Sequence, residues 1–221
     1  MKVLFFFCLI SAALLACTKR ENCPKYFQIP VQVVPALLEY HVGDTITIVS
    51  KFSRKVPADN PDSEPLGTFD MKGIYWKPSF LISRFDSTEE SSVIDKYFHF
   101  ITDSSFNFYL SSSSQSSKLL GEYNFENDSF HLVFRLVAHT PGLYFSSLLS
   151  DNFSGQGEQQ DFPGKCKLQG FGVRVQANGG SGDNNVNLFR ESPNEHFNTW
   201  ILLDTKERFD KFGGYCFRVV P

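Results

Sequence analysis

Phe130-His131-Leu132-Val133-Phe134-Arg135-Leu136-Val137 alternates apolar residues with others along its whole length. A period of two is the signature of a strand with one buried face, here Phe130, Leu132, Phe134 and Leu136. Thr140-Pro141-Gly142 follows. Proline presets φ and glycine permits positive φ, which predicts a tight turn. Residues 143–149 then resume strand pattern, so the stretch 130–149 predicts a β-hairpin.

The same period recurs outward from this stretch. Phe27-Gln28-Ile29-Pro30-Val31-Gln32-Val33 alternates, and Pro30, lacking an N–H, predicts an edge strand. Gly43-Asp44 turns into residues 45–52, with Ile46, Ile48 and Phe52 on one face. Residues 55–67 carry Pro57, Pro61 and Pro65 and read as a long irregular loop. Further strands are predicted at 68–71, 80–85, 97–101, 106–110, 171–175 and 215–220. Residues 87–95 read as a helical turn, and the serine-rich run 111–117 as a solvated hairpin loop. One helix is predicted from Ser192-Pro193-Asn194-Glu195, which has capping-box spacing with proline at the first helical position. Phe197, Trp200, Ile201, Phe209 and Phe212 follow at a rough 3–4 spacing, and Gly213-Gly214 supplies the stop. Short strands without long helical crossovers predict a mainly β chain, an antiparallel sandwich with one helix near the C-terminus.

Composition agrees with this. The chain has 221 residues, 42% of them hydrophobic, with 24 Phe, 8 Tyr and 2 Trp. Aromatics favour pleated, half-buried surfaces. With a formal charge of −3 the chain has no general electrostatic attraction for nucleic acid, which needs a basic face.

The first residues carry an address. Met1-Lys2 is a short basic start, and residues 3–16 are apolar except for Ser11. That run is too short for a membrane span, which needs about 20 residues, and fits the core of a secretory signal peptide. It ends Leu14-Leu15-Ala16-Cys17 and turns polar at once with Thr18-Lys19-Arg20-Glu21-Asn22. This resembles the lipobox of bacterial lipoproteins. The resemblance implies cleavage before Cys17, lipid on its thiol, and a membrane partner reached through that lipid. The organisation expected is a signal peptide at 1–16, the lipidated cysteine and its tether at 17–25, and one sandwich domain at 26–221. The tether residues 18–25 reach at most about 28 Å. The segment from Pro35 through Val42-Gly43-Asp44-Thr45-Ile46-Thr47, with His139-Thr140-Pro141-Gly142-Leu143-Tyr144, resembles the immunoglobulin-like sandwiches of bacterial envelope proteins. Phenylalanine richness together with the lipobox is similar to lipoproteins of the Bacteroidota. Thr18 is not the aspartate of inner-membrane retention, and residues 18–22 hold no acidic cluster of the surface-exported kind. The expected place is therefore the outer membrane, lipid-anchored, on its periplasmic face.

Export permits disulfides. With Cys8 removed and Cys17 lipidated, Cys23, Cys166 and Cys216 remain. Three pairings exist. Cys166–Cys216 is favoured because both lie in the structured C-terminal part, and its loop is worth on the order of 4 kcal/mol.

Catalytic signals are sparse. His41, His99, His131, His139 and His196 show no metal-ligand spacing, and no Gly-x-Ser-x-Gly elbow occurs. Ser181 sits in a glycine-rich turn. Asp183, Asn185 and Asn187 alternate like the start of a calcium loop, but Leu188 and Asn194 break the pattern. Thr45 and Ser87 lie in short sequons similar to those O-glycosylated in Bacteroidota. Tyr75, Trp76 and Trp200 are candidates for stacking on sugar rings, with core packing as the commoner role. The expectation is a non-catalytic envelope protein that binds a protein or glycan partner or scaffolds, with no cofactor. The rival is a glycan hydrolase built on paired carboxylates.

Overall fold

The computed structural model describes residues 24–74, 76–87, 92–102, 108–113, 116–151, 172–180 and 184–221. The strands among them are β1 (Tyr26–Val34), β2 (Glu39–His41), β3 (Thr45–Ser53), β4 (Lys55–Asp59), β5 (Pro65–Asp70), β6 (Lys77–Arg84) and β7 (Phe98–Thr102). They continue with β8 (Tyr109–Ser112), β9 (Ser117–Leu120), β10 (Asn124–Glu126), β11 (Ser129–Ala138), β12 (Gly142–Asp151), β13 (Gly172–Ala177) and β14 (Tyr215–Val220).

Two sheets result. In one, β1 pairs β3, β3 pairs β11, and β11 pairs β7, all antiparallel. In the other, β6 pairs β12 and β12 pairs β14, also antiparallel, while β2 runs parallel to β14. These neighbours reproduce the A-B-E-D and C-F-G order of an immunoglobulin-type sandwich. The expected fold class is therefore the observed one. The β8–β9 hairpin extends the second sheet at β6. Of the predicted serine-rich loop 111–117, Ser113 and Ser116 belong to its turn, residues 114–115 lie outside the described residues, and Ser111, Ser112 and buried Ser117 are strand, not solvated loop. The first sheet is extended by β10 on β11, by the β4–β5 hairpin, and by β13 parallel to β1.

Alternation puts Phe27, Ile29, Val31, Ile46, Ile48, Leu132, Phe134 and Leu136 of one sheet against Tyr144, Leu148, Tyr215, Phe217 and Val219 of the other. Each such side chain contributes about 1.5–3 kcal/mol by leaving water. Phe52 lies at the centre of an aromatic cluster, 5.3 Å from Trp76, 5.2 Å from Tyr123 and 5.2 Å from Phe130 between ring centroids. A second core covers the outer face of the β6–β12–β14 sheet. There Phe85, Leu143 and Cys216 meet Leu188, Phe189, Phe197, Ile201 and Phe209 of the C-terminal helical turns.

Four expectations are corrected. The stretch 130–149 is not a hairpin. Both edges of β11 are taken, by β3 and β7, so β12 crosses to the opposite sheet. The crossing is a tyrosine corner: the Tyr144 hydroxyl donates to the carbonyl of Thr140 at 2.9 Å. Gly142 is needed there because a Cβ would lie 2.9 Å from Arg84 Nε and 3.0 Å from Asp86 Oδ2.

Secondly, β1 is not an edge strand. Val33 N–H donates to Asn178 on the side of β13, so by alternation the Pro30 nitrogen faces the other edge. On that edge β4 pairs only residues 26–27 and β3 only residues 32–34, leaving no ladder bond at Pro30 to lose.

Thirdly, residues 55–67 are not irregular. They form most of the β4–β5 hairpin, whose turn is built by Asn60: its Oδ1 accepts from the N–H groups of Asp62 and Glu64. The prolines mask an alternation carried by buried Val56 and Ala58.

Fourthly, the predicted helix is two short π-helical turns, Phe197–Ile201 and Lys206–Asp210. Ser192 does not act as a capping-box residue. Its hydroxyl donates to the Phe85 carbonyl, and Asn194 caps instead, its Oδ1 accepting from His196 N–H at 2.9 Å. In the stretch 87–95, of which residues 88–91 lie outside the described residues, the helical turn is Ile94–Lys96 only.

Candidate functional site

The outward faces of β1 and β13 build a polar pocket. Parallel register sets Gln28 beside Arg174 and Pro30 beside Gln176, while Ile29 and Val175 face the core. The polar side chains hold one another in series. Gln176 Nε2 donates to Gln28 Oε1 at 2.9 Å, and Gln28 Nε2 donates to Asp59 Oδ2 at 2.7 Å. Arg174 Nη1 donates to the same Asp59 oxygen at 2.9 Å, and its Nη2 to Ser63 Oγ at 2.9 Å. The guanidinium also lies 3.9 Å over the Tyr26 ring. Asp59 is only 4% exposed, so this ion pair is shielded from solvent and ordered by its other bonds.

Lys206, Glu207, Asp210 and Lys211 make the opposite wall of a pocket of about 460 Å³. The wall is fixed to the sheet by backbone: Val175 N–H donates to the Lys211 carbonyl, and Gly213 N–H to the Val175 carbonyl, both at 2.9 Å. Gly213, at φ +59°, allows this approach, since a Cβ there would lie 2.8 Å from Val175. Glu207 accepts from Lys211 Nζ. Burial alone raises the Asp210 pKa above the usual carboxylate range.

The other side of the Lys206–Asp210 turn lines a second, apolar groove of about 280 Å³. Phe145, Ser147 and Leu149 of β12 form its floor, with Phe197, Trp200, Ile201, Arg208 and Phe212 around them. His196 stacks on the Trp200 ring at 5.3 Å, and Arg208 lies 4.7 Å over it. A third hollow of about 280 Å³ is lined by Ile74, Trp76 and Tyr123.

The residues singled out in the sequence fare differently. Cys17, Cys23 and Cys166 lie outside the described residues, as do Tyr75, Ser181 and Asp183. Cys216 is fully buried in the second core, on β14. Trp76 is core, 1% exposed, whereas Trp200 is 45% exposed at the groove. Asn185 and Asn187 bond within the chain, Asn185 Nδ2 donating to the Cys216 carbonyl and Asn187 Oδ1 accepting from Arg190. Register brings His99 and His139 together with ring centroids 4.6 Å apart, a pair that sequence spacing does not announce. Thr45 begins β3 and is exposed; Ser87 is half-buried. Asp59, Gln28, Arg174 and Gln176 were not singled out. The available signal was that the outward positions of two alternating strands hold long planar hydrogen-bonding groups.

The pairing order makes the chain a β-sandwich with a helical layer on one outer face. No protein-family model and no curated protein matches it. No helix among the described residues is long and apolar enough to cross a membrane.

Proposed function

We propose that this chain is a lipid-anchored protein of the outer membrane, held through Cys17 on the periplasmic face, that binds an envelope glycan without cleaving it. The Gln176–Gln28–Asp59–Arg174 array carries this reading. A sugar presents vicinal hydroxyls that each donate and accept. Amide, carboxylate and guanidinium groups match such pairs, and groups already fixed by one another lose little freedom on binding. The pocket wall adds lysines and carboxylates, so it offers both donors and acceptors.

The test is an envelope-glycan array, followed by calorimetry on the glycan it finds. Gln28→Ala and Gln176→Ala each weaken binding about tenfold, roughly the loss of one or two pocket hydrogen bonds. A blank array, or capture of a protein partner that both variants bind as well, would overturn the proposal.

One observation favours the hydrolase as a second reading. Asp59 is held by Arg174 and Gln28, while Asp210 in the same pocket has its pKa raised by desolvation. Unlike environments for two carboxyl groups are what an acid and its partner need. Mass spectrometry of the incubated glycan separates the two: an unchanged mass keeps the binding reading, and shortened products that vanish with Asp210→Asn replace it.

A further inference from the structure

The Lys206–Asp210 turn is a partition. Lys206, Glu207, Asp210 and Lys211 face the polar pocket, while Arg208, with Phe212 just beyond the turn, faces the apolar groove. We infer that this groove is a binding site for a small apolar carboxylate, an acyl or aromatic acid whose body lies between β12 and the Trp200 turn and whose charge meets Arg208.

Three observations carry this, independently of the glycan reading. Among the described residues the groove lining contains no carboxylate, and Arg208 is its one permanent charge. Arg208 is also held in place without being neutralised. Its Nη1 donates to the Trp200 carbonyl at 2.5 Å and its plane lies over the Trp200 ring, and among the described residues it pairs with no acid. A guanidinium so fixed keeps donors for a planar oxyanion at the rim of an apolar hollow. Finally, Trp200 and Phe212 remain 45% and 39% exposed although Phe145, Phe197 and Ile201 beside them are packed. Trp200 also sits in a π-helical turn, a rare geometry that recurs at functional sites.

Charge decides the class of ligand. An amine would meet Arg208 with repulsion. A neutral alcohol would leave its donors facing apolar surface. A carboxylate satisfies them, and its apolar body displaces water from the groove. At about 280 Å³ the groove suits a short chain rather than a whole lipid.

The experiment titrates the full chain carrying Cys17→Ser, so that no acyl group of its own competes. The probes are hexanoate, heptanoate and octanoate, with octanol and octylammonium as controls, read by the fluorescence of half-exposed Trp200. Saturable quenching by the carboxylates is expected, tightening about fourfold per added methylene. Octanol should bind about tenfold more weakly than octanoate, and octylammonium not at all. Arg208→Gln should bring octanoate down to the level of octanol. No saturable change with any carboxylate overturns the inference, and so does octylammonium binding as tightly as octanoate. These outcomes come from the unsubstituted groove and stand whether or not the Arg208 variant folds. A variant that folds and keeps the preference for octanoate also overturns it.

Discussion

At the scale of single residues, Ser50 shows how a small polar side chain can hold a core together. It is fully buried on β3. Its hydroxyl donates to the Pro30 carbonyl at 2.5 Å and accepts from the Tyr123 hydroxyl at 2.9 Å. It thereby supplies, at the gap between β3 and β4, a partner that no strand provides. Burial pushes the Tyr123 pKa well up, so that hydroxyl stays a donor at any working pH. Ser50→Ala removes the link and leaves two buried polar groups unpaired. The expected cost is about 2 kcal/mol, read as a lower urea midpoint. Tyr123→Phe added to Ser50→Ala should recover part of that loss, because one orphaned group disappears with it. If the second substitution adds its full cost instead, the relay contributes nothing as a unit. Nothing in the sequence marks Ser50 out among the chain's many serines. It lies on the buried face of an alternating strand, and only the burial makes the hydroxyl matter.

At the scale of elements, local pattern and pairing separate cleanly. Alternation placed β1, β3, β11, β12 and β14 within a residue or two of where they lie, because a half-buried strand needs period two whatever its neighbours are. Partners are set by which edges remain open, and that is a property of the whole sheet. Hence the stretch 130–149 reads as a hairpin yet joins two sheets. The short β2 and β10 fall below the length at which a period shows. The C-terminal helix was legible as an apolar spacing, but not as two turns with Leu202–Asp204 between them. The polar pocket was hidden for the same reason as the pairing. Asp59 meets Arg174 only once β13 is laid against β1.

The Lys206–Asp210 turn makes its own prediction. The folded pKa of Asp210 lies above its unfolded value because burial disfavours the charged form. Below the unfolded value, near pH 4, both states are protonated and the shift has no effect on stability. As pH rises through the folded pKa the native state must ionise a half-buried carboxyl, so stability is lost there and stays lost at neutral pH. Asp210→Asn should therefore have a higher urea midpoint than the parent chain at pH 7, and the difference should close at about pH 3. An equal difference at both values would mean that the substitution acts through packing, not through charge.

At the scale of the whole molecule, the tether and the pocket are close in sequence. Residues 18–25 end where β1 begins, and Tyr26, the first residue of β1, lies under the Arg174 guanidinium of the polar pocket. An anchor at Cys17 would keep that end of the sandwich within about 30 Å of the membrane, since no chain segment extends further than roughly 3.5 Å per residue. The membrane attachment and the binding chemistry would then reside in separate parts, one in the lipid and one in the sheet. Cys17→Ser tests that separation. The substitution is expected to abolish incorporation of a fatty-acid analogue and to move the protein from the membrane fraction to the soluble one. Glycan affinity measured in solution should stay within about twofold, because no group of the pocket is touched. Single acyl chains hold membranes weakly, whereas two or three hold nearly permanently, so in the parent chain membrane retention should rise with labelling. Full membrane retention without any label would falsify the lipid anchor. It would place the contact with the membrane elsewhere in the chain, on the apolar run 3–16 or on the sandwich, where exposed Trp200, Leu203 and Phe212 offer apolar surface.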